Sequence, residues 1–324
     1  MPKILHTAKY SGLPLDILQK ACPKGFVVKT LDEATYEQLL KEVVDADYFL
    51  VSGRLPIDRS VLQSAAKLKM IQRTGVGIEM LDLEELKKRD IPVYVNAGVN
   101  ARSVAEHTVA LILACIKRIP QINNQLHKGV WKKQQTGVTT HELYGKTVGL
   151  VGMGNIGRLV ASMLKPFGVH ILYTDLYRQD NTVESELGLM YVDSIESLLP
   201  QVDILSFHCP LTSANREILN SRTMAIMKEG AIVVNTARGR LINSKDLYDS
   251  LVSGHIRAAG LDTHYEEPIK EDYLLSTLDN VIMTPHIAGL SYEAFERMMV
   301  EAMDNIQKFE QGRMEEIAPK KLAL

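Results

Sequence analysis

The sequence predicts an α/β protein of two doubly wound parallel-sheet domains, and three observations predict it. Short apolar runs alternate with amphipathic segments along both halves of the chain; in such alternation a helical crossover joins each strand to the next, which makes neighbouring strands parallel. The chain has 324 residues, more than one hydrophobic core usually supports, so two domains are expected. A glycine-rich turn at 152–157 follows an apolar strand and opens a helix, which is where an α/β sheet holds a phosphate-bearing ligand.

In the first half, residues 3–6, 26–29, 48–51, 70–72 and 93–95 read as strands. Segment 32–44 has an acidic first turn and sets Leu39, Leu40, Val43 and Val44 on one helix face, while 58–65 and 82–88 start from aspartate caps. Residues 101–118, ARSVAEHTVALILACIKR, lack glycine and proline and are almost too apolar for a surface helix. Such a helix must be buried: between domains, against another subunit, or in the interior of one subunit. A second series of strands is expected near 147–151, 170–174, 204–208, 231–236, 256–262 and 281–284, a count of six. Residues 291–312 read as one long helix, free to return to the first domain.

Composition narrows the function. Hydrophobic residues make up 46% and charged residues 23%, a globular balance. The net charge of −2 gives no general attraction to nucleic acid or an anionic membrane. The N-terminus lacks the apolar core of a signal peptide, and the most apolar stretch, 104–116, contains Glu106 and His107, so no membrane segment is expected. Cys22, Cys115 and Cys209 form no CxxC pair, which fits a reducing cytoplasm and structural thiols better than a disulfide framework. No metal site is expected.

In TVGLVGMGNIGRLVA, residues 147–161, Gly152, Gly154 and Gly157 have GxGxxG spacing. The first glycine permits a tight turn, the second lets backbone approach a pyrophosphate, and the third lets helix pack close to strand, with the helix N-terminus facing the phosphate charge. A second strand, VHILYTD, ends in Asp175, eighteen residues after Gly157. An acid there accepts hydrogen bonds from the adenosine ribose and repels a 2′-phosphate, so NAD is expected over NADP. Arg178, three residues further on, is a group that could in principle pair with a 2′-phosphate.

Three further segments place titratable or charged residues at strand ends, where open α/β sheets bind ligands: NTARG at 235–239, DTHYEEP at 262–268 and TPHIAG at 284–289. Arg238, at the end of an apolar strand and before a glycine, suits a bidentate grip on a carboxylate. His286, after proline and before small residues, has the acid/base range to remove a hydroxyl proton as hydride leaves the same carbon. Glu267, if it meets the imidazole, fixes its tautomer and keeps its proton available for the reverse reduction.

With GMGNIG at 152–157, HCPLT at 208–212, NTARG at 235–239, LDTHYEEP at 261–268 and PHIAG at 285–289 all in order, the chain resembles the D-isomer-specific 2-hydroxyacid dehydrogenases over nearly its whole length. The resemblance implies a Rossmann NAD-binding domain, 100–290, inserted into a flavodoxin-like substrate domain, 1–99 and 291–324. It implies substrate binding by Arg238, support of the histidine by Glu267, acid/base work by His286, and an Asp262 near the nicotinamide carboxamide. Asn155, Ile156, Cys209, Pro210, Thr236, Ala237 and Gly289 would complete the cofactor lining. RTGVGIEMLDL at 73–83 resembles the family loop whose main-chain amides hold the substrate carboxylate, here at Val76 and Gly77. A homodimer built on the helix after Ala101 is implied as well.

Three departures stand out. Glu79 and Met80 replace the usual Asp and Asn, Ser52-Gly53-Arg54 replaces the Arg-Ser pattern of phosphoglycerate dehydrogenases, and His264 takes a place more often aliphatic or aromatic. His264 is thus a second titratable candidate or a polar lining residue. Trp131 is read as a buried structural residue, or as a contributor to substrate specificity. Glyoxylate, hydroxypyruvate, pyruvate and phosphohydroxypyruvate are all compatible substrates. The competing class is an NAD(H)-sensing binding protein, since transcriptional corepressors resemble this family; their partner-binding extensions are not evident, and an added C-terminal regulatory domain is not expected.

Overall fold

The computed structural model describes residues 1–53 and 55–323. Arg54, the phosphate-binding candidate of the 52–54 segment, lies outside the described residues, as does Leu324. The chain divides into two compact units, residues 1–100 with 290–324 and residues 101–289. No helix among the described residues is long and apolar enough to cross a membrane.

The first unit is built on β1 (Lys3–His6), β2 (Val27–Thr30), β3 (Tyr48–Val51), β4 (Met70–Arg73) and β5 (Val93–Tyr94). They pair in parallel in the order β2-β1-β3-β4-β5, the doubly wound order of flavodoxin-like sheets. The strand residues alternate between two cores. Leu5, Phe49, Val51, Ile71 and Val93 join one. Ile4, Tyr48, Leu50, Met70 and Tyr94 join the other, where Met299, Ala302, Met303 and Ile306 of the closing helix Tyr292–Glu310 pack against them.

Polar groups fix that return. Asn305 Nδ2 donates to Gln72 Oε1 (3.2 Å) and Asn96 Oδ1 (3.3 Å), Asn96 Nδ2 donates to the Met298 carbonyl (2.9 Å), and Lys320 Nζ reaches Asn305 Oδ1 (3.0 Å). All three amide residues are buried, and each is satisfied by its neighbours, which a buried polar cluster requires.

Two helices of this unit start from the expected caps, Asp58 on Val61 N and Asp82 on Glu85 N. The helix expected over 32–44 runs only over Tyr36–Glu42, capped by Thr35, and tightens into a 3-10 turn at Val43–Asp45. Leu39 and Val43 are buried, but Val44 points outward, because the tighter turn rotates it off the apolar face. Leu13–Ala21 is a helix that the strand and helix pattern did not announce.

His6, at the end of β1, is fully buried, with Nε2 against Ser52 Oγ and Nδ1 3.3 Å from Thr30 Oγ1. Burial lowers its pKa from 6.5 to about 4. Above pH 6.5 the ring is neutral in both states; between 6.5 and 4 only the unfolded chain takes up the proton, so stability falls as pH falls. The loss reaches about 3 kcal/mol below pH 4. Replacing His6 by Gln is expected to remove that part of the pH dependence in urea titrations from pH 7 to 4. Parallel curves for the two proteins would show that His6 is not its source.

The second unit holds β6 (Thr147–Val151), β7 (His170–Thr174), β8 (Leu189–Tyr191), β9 (Ile204–Phe207), β10 (Ala231–Asn235), β11 (Ile256–Leu261) and β12 (Val281–Met283). The sheet is parallel, in the order β12-β11-β10-β9-β6-β7-β8. This is the Rossmann order with one strand added beyond β11, and the order reverses between β6 and β9. Seven strands replace the expected six. The additional one, β8, is a three-residue edge strand with only Leu189 buried, too short for alternation to reveal it.

The apolar helix Ala101–Lys117 belongs to this unit. Ala105, Leu111, Ile112, Cys115 and Ile116 are buried with Val148, Leu150, Ile232 and Val234 of the sheet. Of the three placements left open, the unit's own interior accounts for its apolar face. Trp131, expected to be buried, is 77% exposed; it lies between the short helices Ile119–His127 and Lys133–Gly137, neither of which has a buried residue.

Candidate active site

Because every strand of the second sheet is parallel, the segments that leave β6, β7, β9, β10, β11 and β12 emerge at one edge. The glycine turn leaves β6. Gly152 has φ +102°, and a Cβ there would come within 2.7 Å of Cys209 N. A Cβ on Gly157 would collide with the Gly152 carbonyl. These two glycines are therefore demanded by packing between the turn, its own helix and the end of β9. Around Gly154 a Cβ would meet no protein atom within 4 Å, so packing does not require glycine there, and the approach of a ligand remains its reason. Gly154 caps the helix Asn155–Leu164 without a side-chain hydrogen bond. The first amides of that helix, including those of Asn155 and Ile156, thus keep the donor capacity a pyrophosphate needs. Asp175, directly after β7, accepts from Met153 N at 2.5 Å and from Tyr177 N at 3.2 Å. The acid is held against the glycine turn itself, and the cradle fits a dinucleotide.

On the other side of the crossover, Cys209 and Pro210 leave β9 in a loop closed by Asn215, whose Nδ2 donates to the Pro210 carbonyl (2.8 Å). Burial pushes the Cys209 thiol up to about 11, so it stays protonated near neutrality. Arg238 stands three residues beyond β10 in a loop closed by Asn235, which donates to the Arg238 carbonyl (2.8 Å) and accepts from Ala237 N (3.0 Å). Arg238 Nη1 donates to the Ala237 carbonyl (2.8 Å). Gly239 is forced by closeness: a Cβ there would run into the carbonyl of His264.

Glu267 and His286 meet. Glu267 Oε2 lies 2.8 Å from His286 Nδ1, and since an ionised carboxylate only accepts, Nδ1 carries the proton and the unprotonated nitrogen of the neutral ring is Nε2. The other oxygen, Oε1, accepts from His264 N (2.8 Å), which fixes the carboxylate plane. His286 has φ +58°, a left-handed conformation that costs a β-carbon residue of order 1 kcal/mol and persists where surroundings enforce it. Asp262 enforces it. Its carbonyl accepts from His286 N (2.8 Å), and its carboxylate accepts from Ile287 N and Ala288 N (2.9 Å each) and from Thr284 Oγ1 (2.6 Å). The carboxylate assigned by resemblance to the nicotinamide is thus committed to the loop bearing His286 and Gly289.

The sequence reading passed over a set of residues behind these loops. On the helix Ala101–Lys117, Ser103 Oγ donates to the Ala288 carbonyl (2.7 Å), His107 Nε2 bonds Thr284 Oγ1 (2.9 Å), and Thr108 shares a hydrogen bond with Thr236 (2.8 Å). Spacing by four and five residues puts all three on one side of the helix. Polar residues on an otherwise apolar helix were the signal. His264 is braced likewise, its Nε2 donating to the Thr284 carbonyl (3.0 Å). Val76 and Gly77 lie in the first unit, on the loop between β4 and the helix Leu83–Lys88, with Val76 exposed.

Residues 109–288 match the family described as D-isomer specific 2-hydroxyacid dehydrogenase, NAD binding domain. The chain belongs to this family. As a 2-hydroxyacid dehydrogenase of the D-isomer-specific type it has NAD as cofactor. It is 41% identical over 317 residues to a D-3-phosphoglycerate dehydrogenase of Methanocaldococcus jannaschii, covering 98% of this chain and 59% of that protein. It thus spans little more than half the length of that relative. A hydroxypyruvate reductase of Thermotoga maritima is 36% identical, with 86% of this chain and 90% of that one covered. Among solved structures, a D-lactate dehydrogenase of Aquifex aeolicus complexed with NAD and lactic acid superposes with a TM-score of 0.86 at 28% identity, covering 99% of this chain and 98% of that one.

Proposed function

We propose that the protein interconverts a small D-2-hydroxy acid and its 2-oxo acid with NAD(H), of the glycerate/hydroxypyruvate, glyoxylate or 3-phosphoglycerate type. The observation that carries the reading is the His286–Glu267 hydrogen bond of 2.8 Å, which leaves the acid/base face of the imidazole to a substrate hydroxyl. Bound NAD supplies the hydride acceptor. Arg238 grips the substrate carboxylate in two parallel hydrogen bonds, and main-chain amides at Val76 and Gly77 are assigned to carboxylate binding as well. In the oxidative direction Nε2 of His286 takes the hydroxyl proton while Glu267 stabilises the imidazolium; in reduction the same proton returns to the new alkoxide oxygen. Thr236, Ala237, Asp262 and Gly289 line the nicotinamide end. Residues 1–100 and 290–324 act as the substrate-binding domain.

The relatives' names span phosphoglycerate, hydroxypyruvate and glyoxylate chemistry, so the test is NADH oxidation with a panel of glyoxylate, hydroxypyruvate, pyruvate and phosphohydroxypyruvate. Turnover of at least one with NADH, and a lower kcat/KM with NADPH because Asp175 opposes a 2′-phosphate, is the expected result. No turnover of any, with NADH still bound, favours the NAD(H)-sensing alternative.

The protein acts as a homodimer. Ile119, Leu126, Trp131, Val138 and Tyr144 expose apolar surface within a short stretch of the second unit, and a second copy is the partner that would cover it. Its three free cysteines suit a reducing cytoplasm.

A further inference from the structure

We propose that Glu184 is a cofactor-specificity residue: it holds Arg178 in an ion pair and so denies a 2′-phosphate the cation nearest in sequence to Asp175. The proposal rests on the reading that Asp175 faces the adenosine ribose.

Arg178 stands three residues after Asp175, in the loop from β7 to the helix Asn181–Leu187, and is the only Lys or Arg between 166 and 191. Its Nε and Nη2 each lie 2.9 Å from a separate oxygen of Glu184. The guanidinium is also stacked 5.4 Å from the ring centroid of Tyr191 on β8. Glu184 is anchored in turn. Its side chain is 11% exposed, and it accepts from Tyr173 Oη at 2.6 Å. Tyr173 is a core residue of β7, and its hydroxyl also accepts from Gln179 N (2.8 Å).

The carboxylate therefore has a fixed address, and the guanidinium is drawn to it by a fork of two charge-assisted bonds plus a ring face. Arg178 first and Tyr173 second hold the Glu184 carboxyl down at about 2, so it is charged near neutrality. A guanidinium held in this way has its charge offset by Glu184 and has to break the fork before it can present its Nε/Nη2 edge to a phosphate. Asp175 supplies repulsion and Glu184 supplies sequestration; the two are separable because they act on different groups.

The test is a cycle in the full chain, read as the affinity ratio of NADPH to NADH by fluorescence titration, so that turnover is not needed. Asp175→Ser is expected to raise the ratio, and adding Glu184→Gln to raise it further by about tenfold, the worth of one charge-assisted contact. Adding Arg178→Ala to that pair is expected to abolish the second gain. A second step that is absent, or that survives loss of Arg178, overturns the proposal and leaves the ion pair a brace of the loop. If Asp175→Ser alone leaves the ratio unchanged, the reading of Asp175 is what fails, while the Glu184 step is still read against its Arg178→Ala control. Should Glu184→Gln unfold at the assay temperature, Glu184→Asp keeps the charge and Tyr173's acceptor but cannot span the fork. It is expected to give a smaller gain with the same dependence on Arg178.

Discussion

Replacing His286 by alanine is expected to lower kcat for the reduction of the best 2-oxo acid by about a thousandfold, the middle of the range for loss of a general acid. Binding of NADH, followed by fluorescence, is expected to persist. The size of the effect follows from geometry. Proline before His286, a left-handed backbone at it, and four hydrogen bonds from the loop to Asp262 hold one imidazole in one place. Glu267 settles which nitrogen carries the proton. Glu267→Gln keeps an acceptor oxygen for Nδ1 but gives up the charge opposite the imidazolium, so a smaller loss of about ten- to hundredfold is expected. Equal NADH oxidation by wild type and His286→Ala would remove the acid/base role. Equal loss in the two variants would instead place Glu267 in direct contact with the reacting groups.

The strand-end residues were legible because parallel α/β topology makes sequence order and spatial edge equivalent: a charged residue just past an apolar run must stand on the ligand edge. Gly152 and Gly157 were legible for the same reason, since the spacing encodes their close contacts. What the sequence concealed depends on contacts between elements far apart in the chain. Ser103, His107 and Thr108 lie in a helix whose apolar character dominates its sequence. Only packing against β10 to β12 turns them into braces for the loops after those strands. The bonds that Asp262 accepts from Thr284, Ile287 and Ala288 were hidden as well, since these donors stand more than twenty positions away. The short strand β8, the early end of the helix at Glu42 and the exposed Trp131 were missed for local reasons. Three residues carry too little periodicity, a 3-10 turn ends an apolar face without a breaking residue, and aromatic identity alone does not fix burial.

Arg238→Lys is expected to reduce kcat/KM for the 2-oxo acid by about a hundredfold or more while the KM for NADH changes little. A lysine keeps the charge but replaces a planar fork with a point donor, and truncating one side of a desolvated ion pair commonly costs 2–5 kcal/mol or more. The environment sharpens this expectation. Asn235 closes the loop on both sides of Arg238, and Gly239 lets the chain pass against the His264 carbonyl. The guanidinium is therefore aimed by backbone as much as by its own contacts. Gly239→Ala, which leaves the guanidinium intact but forces the loop away from His264, is expected to cost a comparable factor. The two losses should differ in kind: free guanidinium in the assay should partly restore an Arg238→Ala variant, and should do nothing for Gly239→Ala. A fully active Gly239→Ala enzyme would show that the closeness of these two loops is incidental to substrate binding. Rescue of both variants would mean that carboxylate charge alone, without aim, is what Arg238 answers.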